Sequence, residues 1–304
     1  MNTQEVIEIA SSHLVDFAGH RFDVIDVSKP ATINASLFLA KIISKLSPLV
    51  GNLIEFNIAE FLNHKPEFES WGKWVRQDPG FPDTIFDGLV KPTPGFEIKA
   101  WFPLGTEITA RFKDSQNHFA DNQTHVAMLA WLPENLIYGK PKIIDVCIVS
   151  GMSVAQARDN HYHNPPDYLV LEPEDTAART SNLQQTNTNG FKFQGTSTQF
   201  AEAQQIVASW GANARNYTPT REYQLLLRQL LAEFPYRLDT NFAKMDRIEH
   251  QGIEEFKTRV YGTNFNGMTI RQWNRLLTLG TETAIQKALK DHLKIQDEAD
   301  EIVE

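Results

Sequence analysis

The segment Phe81-Pro82-Asp83-Thr84-Ile85-Phe86-Asp87-Gly88 is followed, after the turn Lys91-Pro92-Thr93-Pro94-Gly95, by Phe96-Glu97-Ile98-Lys99-Ala100-Trp101. It sets an aspartate, a glutamate and a lysine near the facing ends of two short, strongly apolar segments. Two carboxylates can hold a divalent metal, and a lysine two residues after one of them stays on the same face of a strand. That is the minimum equipment for metal-assisted cleavage of a phosphodiester. The tripeptide alone is a weak signal: with 38 acids in 304 residues the chain holds two acid-x-Lys matches, about the number chance predicts. The other, Glu255-Phe256-Lys257, lies in a helical stretch where residues two apart face different ways, and reads as a surface pair. Glu97-Ile98-Lys99 interrupts a strand-like apolar run instead. Two charges on one face of such a strand need a reason, because burying them unpaired is expensive; the plain alternative is an outer face carrying a Glu–Lys pair. Asp83 precedes Glu97 by fourteen positions and Asp87 by ten. Either spacing brings an acid beside Glu97 across the hairpin, so both are candidate metal ligands. Upstream, Glu55 lies within an apolar helical stretch, where a bare glutamate is unusual.

Helical apolar spacing covers 3–17 (Val6, Ile9, Ala10), 35–47 (Leu39, Ile42, Ile43, Leu46) and 50–62. Residues 64–80, mixing Trp71, Trp74, Pro66 and Pro79 with charges, read as a loop-rich connection. Strands are expected at about 83–90, 95–102, 107–112, 125–132 and 142–149, with the Pro/Gly turn at 91–95 closing a hairpin. Residues 180–199 are crowded with amides and hydroxyls, and helices then dominate at 199–210, 221–234, 245–260, 269–279 and 281–296. The pattern predicts an α/β fold, a central mixed β-sheet flanked by helices with a helical C-terminal extension. The expected division is an N-terminal helical segment over 1–49, a core over 50–175, and a polar segment with helices over 176–304 packed on the core.

Composition limits the classes. Hydrophobic residues at 41% and charged residues at 22% describe an ordinary globular protein. The single Cys147, within an apolar run, excludes an internal disulfide and fits a reducing cytoplasm. The N-terminus shows no basic patch before an apolar run, and no apolar stretch is expected to reach the roughly 20 residues of a membrane span, so no membrane partner is expected. The net charge of −9 counts against nucleic-acid binding. Five of the acids lie in 297–304, leaving −4 for the rest, and the local field of a cleft matters more than the total.

The order Gly51…Glu55 on a helix, Pro82-Asp83 at a strand start and Glu97-Ile98-Lys99-Ala100 on the next strand resembles the PD-(D/E)XK nuclease superfamily. The likeness is to its MutH-type branch, mismatch-repair nicking enzymes and related type II restriction endonucleases. Thr124-His125-Val126-Ala127-Met128-Leu129-Ala130-Trp131-Leu132-Pro133 is similar to that branch's following strand, so the likeness covers about 50–135. Two features depart from the pattern. The interval from the acid to Glu97 is longer, which keeps Asp83 and Asp87 both in play, and the branch's basic residues are missing after His125. The resemblance implies a restriction-endonuclease-like core that hydrolyses double-stranded DNA to 5′-phosphate and 3′-hydroxyl ends. It implies Mg²⁺ held by Asp83 (or Asp87), Glu97 and the Ile98 carbonyl, with Lys99 orienting the attacking water or stabilising charge. Glu55 would hold a second metal or a metal-bound water. A homodimer is expected, by analogy, for palindromic duplex sites.

Base readout needs side chains that reach base edges. The amide-rich 182–189 segment, including Asn187 and Asn189, with Lys192 and Gln194 after it, is a candidate reader, as is the loop containing Arg111, Lys113 and Asn117; both also read as solvated polar loops. Arg271 and Arg275, one helical turn apart, are a further candidate grip on a DNA backbone. Three other readings compete with restriction. One is a DNA nicking or repair endonuclease of the same fold. Another is a zinc hydrolase using His161 and His163, which two apart on an extended segment can share a transition metal. The third is an inactive nucleic-acid-binding protein.

Overall fold

The structure is a computed structural model that describes the chain except residues 79, 106–108, 111–122, 164–167, 171–189, 213, 215–220, 239–242, 245–249 and 296–304. Within described elements, the structure describes only the backbone of 109–110, 158–163, 168–170, 190–192, 221, 224, 237–238 and 243–244. The chain forms two compact units. The first comprises 1–109, 114–155 and 250–304, the second 110–113 and 156–249. The expected boundaries at 49/50 and 175/176 are therefore not where the chain divides. The N-terminal helices and the last three helices all belong with the sheet.

The first unit is built on a five-stranded mixed sheet of β1 (Gly72–Arg76), β2 (Thr84–Gly88), β3 (Gly95–Trp101), β5 (Thr124–Pro133) and β6 (Pro141–Ser150), in the order β1-β2-β3-β5-β6. The chain passes through the two-residue β4 (Thr109–Ala110) between β3 and β5. Only β3 and β5 run parallel; the other pairs are antiparallel. β5 is buried along nearly its whole length, as expected of a strand covered on both faces.

Two layers of helices follow from the alternation of side chains along β3. α3 (Ser47–Asn63) buries Val50, Ile54, Ile58 and Leu62, one residue per turn, against β1 and β3. At Gly51 the helix faces Ala100 of β3, where a Cβ would lie at an ordinary contact distance of 3.8 Å. α7 (Gln251–Gly262) covers the opposite face, setting Phe256 and Tyr261 against Trp101 at ring distances of 5.7 and 5.3 Å. α1 (Thr3–Val15) starts with a reciprocal capping box between Asn2 and Glu5 and buries Val6, Ile7, Ala10 and Leu14. α2 (Ile33–Ile42) runs through a 3₁₀ turn at Ile43–Leu46 into α3.

Residues 64–80, read as loop, contain β1. It is edge-pinned by Asn63, whose amide accepts from Trp74 N at 2.7 Å and donates to Trp74 O at 2.9 Å, standing in for a further strand. Trp74 then stacks obliquely among Phe68, Phe86 and Phe96. The run 159–167, read as an extended polar loop, begins as the end of a helix, α4 (Gly151–His163). His161 and His163 thus lie two apart on a helix, not on the extended segment expected for a shared metal. In the second unit, β7 (Tyr168–Val170), β8 (Gly190–Phe193) and β9 (Tyr236–Leu238) form a small sheet. It carries α5 (Ser197–Ser209) and α6 (Arg221–Glu233) over a core of Phe193, Ala203, Val207, Leu227, Leu230 and Phe234. α8 (Ile270–Leu279) and α9 (Glu282–Leu293) complete the first unit.

One expectation about membranes is corrected. The helical run Ile33–Asn63, 31 residues, is long and apolar enough to cross a membrane by length and composition. Its inner face is committed to the sheet, with Ile54, Ile58 and Leu62 fully buried there.

Candidate active site

β2 pairs with β3 only through Thr84↔Phe96 and Ile85↔Gly95. Continuing that register by one residue brings Asp83 alongside Glu97, just where the ladder stops. Asp87 lies four residues away, exposed on β2 and paired with Lys73 of β1, so the placement of Asp87 opposite Glu97 is not met. Beyond the last ladder pair the Asp83 side chain replaces the missing strand, its Oδ2 accepting from Ile98 N at 2.7 Å. A residue's N–H and C=O point the same way in a strand, so the Ile98 carbonyl also faces this gap.

Glu97 and Lys99 project from the same face of β3, two residues apart. Lys99 Nζ hydrogen-bonds Glu97 Oε1 and lies 3.8 Å from Asp83 Oδ2. The trio grades from interior to surface: the Glu97 side chain is 11% exposed, Lys99 21% and Asp83 22%. The result is a water-accessible notch at the point where β2 and β3 part. Glu97 Oε2 is buried with no hydrogen-bond partner among the described residues. Burial, reinforced by the nearby Asp83 charge, holds the Glu97 carboxyl above the usual carboxylate range, against the opposing pull of Lys99.

Glu55 comes from α3, on the other side of the sheet. Its Oε2 accepts from Arg76 Nε and Nη2 at 3.1 and 3.0 Å. Its pKa is raised by partial burial and then by Asp83, while Arg76 and Lys99 pull it down. Glu55 is therefore within electrostatic reach of the trio, but its direct partner is Arg76.

Arg76, at the end of β1, is the residue that sequence reasoning missed. Besides Glu55 it donates to Asp78 Oδ2 at 2.9 Å and to Asn52 Oδ1 at 3.1 Å, and its guanidinium stacks over Phe56 at 4.5 Å. Asp78 belongs to the loop leading to Asp83, a loop closed by Gln77, whose backbone N donates to Asp83 O at 2.7 Å and whose amide donates to Pro82 O at 3.1 Å. One planar cation thus ties the helix bearing Glu55 to the loop bearing Asp83. The available sequence signal was an arginine ending an alternating Lys73-Trp74-Val75-Arg76 run.

Asp83, Glu97, Ile98 and Lys99 are thus brought together and Glu55 stands beside them. Gln194 sits on the second unit, exposed, with its amide turned back onto Phe193 O at 2.8 Å; Lys192 is in β8, opposite Arg237. Arg111, Lys113, Asn117, Asn187 and Asn189 lie outside the described residues. Arg271 stacks over Tyr261 at 5.1 Å. His125, the partner of Phe96 in the β3–β5 register, is on the face opposite Glu97, and burial lowers its pKa.

A divalent ion fits this donor set in one way. Among the described residues no three His, Cys, Asp or Glu side chains gather into a metal cage, which argues against a tetrahedral zinc site there. Mg²⁺ does not need such a cage, being held by one or two carboxylates with waters and substrate oxygens. Asp83 and the orphaned Glu97 Oε2 supply that pair. No protein-family model, curated protein or solved structure matches this chain.

Proposed function

We propose that the notch formed by Asp83, Glu97 and Lys99 is the centre of a Mg²⁺-dependent endonuclease acting on double-stranded DNA, with a restriction-endonuclease-like core and the role of a type II restriction enzyme. The observation that carries this reading is the buried Glu97 Oε2 left without a partner beside a second carboxylate and an ammonium. A structural ion pair would satisfy both oxygens of so costly a group; a cation site leaves one for its ligand.

Asp83, Glu97 and the Ile98 carbonyl would hold Mg²⁺, which supplies Lewis acidity toward the scissile phosphodiester and lowers the pKa of a bound water. Lys99, anchored on Glu97 Oε1, is placed to orient that water or to offset charge that develops on the phosphate oxygens. Glu55, which gives one oxygen to Arg76, would offer the other to a water of the metal's shell. The buried free Cys147, whose thiol is pushed up to about 11 by burial, is compatible with action in a reducing cytoplasm.

The test is cleavage of plasmid and phage DNA with and without Mg²⁺ by the wild type, Glu97→Gln and Lys99→Ala. Discrete fragments requiring Mg²⁺, and reduced at least about 100-fold in both variants, support the proposal. A single nick that stops at open circles would move it to a nicking or repair enzyme. DNA binding with no strand scission under any divalent ion would overturn it.

A further inference from the structure

A cleft of about 330 Å³ opens in the first unit, where β5 ends and β6 begins. Its lining includes Glu134, Lys142, Ile144, Phe265 and Asn266. That volume is at the lower end of small-molecule sites and holds on the order of ten non-hydrogen atoms at the density of a liquid. Part of the wall is a hairpin, Asn264–Phe265 paired with Met268–Thr269, whose two-residue turn sets Asn266 at φ 50° and Gly267 at φ 83°. Asn-Gly is the sequence such a turn favours, so the backbone accounts for the residue type at 266. It does not account for the side chain. Asn266 Nδ2 is buried with no hydrogen-bond partner among the described residues, an expensive state for an amide.

The charges of the lining are arranged in the same sense. Half-buried Lys142 has an ammonium with no ion-pair or hydrogen-bond partner among the described residues. Glu134, the one acid among the described residues of the lining, is already engaged. Its Oε1 pairs with Arg21 Nε at 2.9 Å and its Oε2 accepts from Lys140 N at 3.3 Å. The two unfilled groups, an ammonium and an amide N–H, are therefore both donors, and they border one cleft. We propose that this cleft binds a small monocarboxylic acid with an apolar body, its carboxylate held by Lys142 and Asn266 and its body against Ile144 and Phe265. One unpaired cation matches a single negative charge, and the neighbouring Glu134 disfavours a dianion such as phosphate. Ile144 and Phe265, both half-buried, give the body an apolar surface to cover. The cleft shares no residue with the Asp83–Glu97–Lys99 notch, and the proposal does not depend on the nuclease reading.

Titration of the full-length protein with benzoate, phenylacetate and hexanoate, followed by calorimetry and saturation-transfer NMR, tests this. At least one of the three should bind saturably with a Kd of about 1 mM or tighter. Benzyl alcohol and inorganic phosphate should bind at least about ten-fold more weakly. Lys142→Met keeps the aliphatic stem of the lysine, and Asn266→Gly keeps a residue that accepts positive φ. Each should weaken binding at least about ten-fold with unchanged circular dichroism, so either variant decides the matter if the other misfolds. Lys140→Met removes a neighbouring ammonium that pairs with Asp23 and should leave the affinity unchanged. Absence of saturable binding by all three acids at about 10 mM, or an affinity unmoved by both Lys142→Met and Asn266→Gly, would overturn the proposal. So would benzyl alcohol or phosphate binding as tightly as the acids.

Discussion

At the scale of single residues, Glu97 is held at a thermodynamic cost. Its carboxyl is buried and titrates above the normal range, so the folded state binds its proton more tightly than the unfolded chain does. That contribution favours folding below the folded pKa and is lost as pH rises through it. Glu97→Gln is therefore expected to stabilise the protein by about 1 kcal/mol at neutral pH while removing divalent-ion binding; thermal melts at pH 4.5 and 7.5 should show the gain only at the higher pH. Arg76→Ala removes the cation that opposes the raised pKa of Glu55. The acidic limb of the Mg²⁺-dependent rate should then move to higher pH and activity fall about 10- to 100-fold, with Arg76→Lys partly restoring both. An unshifted pH profile would make Arg76 a structural residue only. The trio itself was legible in the sequence, because two charges at a spacing of two in an apolar strand are conspicuous. The choice between Asp83 and Asp87 was not, because it depends on where a two-pair ladder ends. Arg76 was hidden for a similar reason: its partners Glu55 and Asn52 lie twenty-one and twenty-four residues upstream on a helix.

At the scale of elements, the long apolar runs of β3, β5 and β6 and the periodic faces of α1 and α3 follow directly from local pattern. β1 does not, being five residues among prolines and charges, and it is held as much by Asn63 as by its own composition. Asn63→Ala removes two hydrogen bonds to the Trp74 backbone and should cost about 2 kcal/mol in urea denaturation. Because β1 carries Arg76, the same variant should lower activity more than its stability loss explains. A fall in stability with activity per folded molecule unchanged would separate the strand from the site. The end of α4 was read as loop because His161, His163 and the following Pro165-Pro166 outweighed a helical pattern with little amphipathic contrast.

At the scale of the whole molecule, the α/β class was legible but the division of the chain was not. Residues 250–293 return to the first unit, where Arg259 pairs with Asp145 at 2.8 Å and Ser153 meets His250 at 2.9 Å. Such contacts span about a hundred residues and leave no local trace in composition. This return builds the layer on the face of the sheet from which Glu97 and Lys99 project. The assembled sheet, with β2 and β3 parting between its two helical layers, is what sets the two carboxylates of the proposed cation site side by side. The most direct test is anomalous diffraction from crystals of the wild-type protein soaked in Mn²⁺. A peak within about 2.0–2.4 Å of both an Asp83 carboxylate oxygen and Glu97 Oε2, absent in Glu97→Gln crystals, is the predicted result. A wild-type notch with no peak, or a peak only at other residues, would contradict the account.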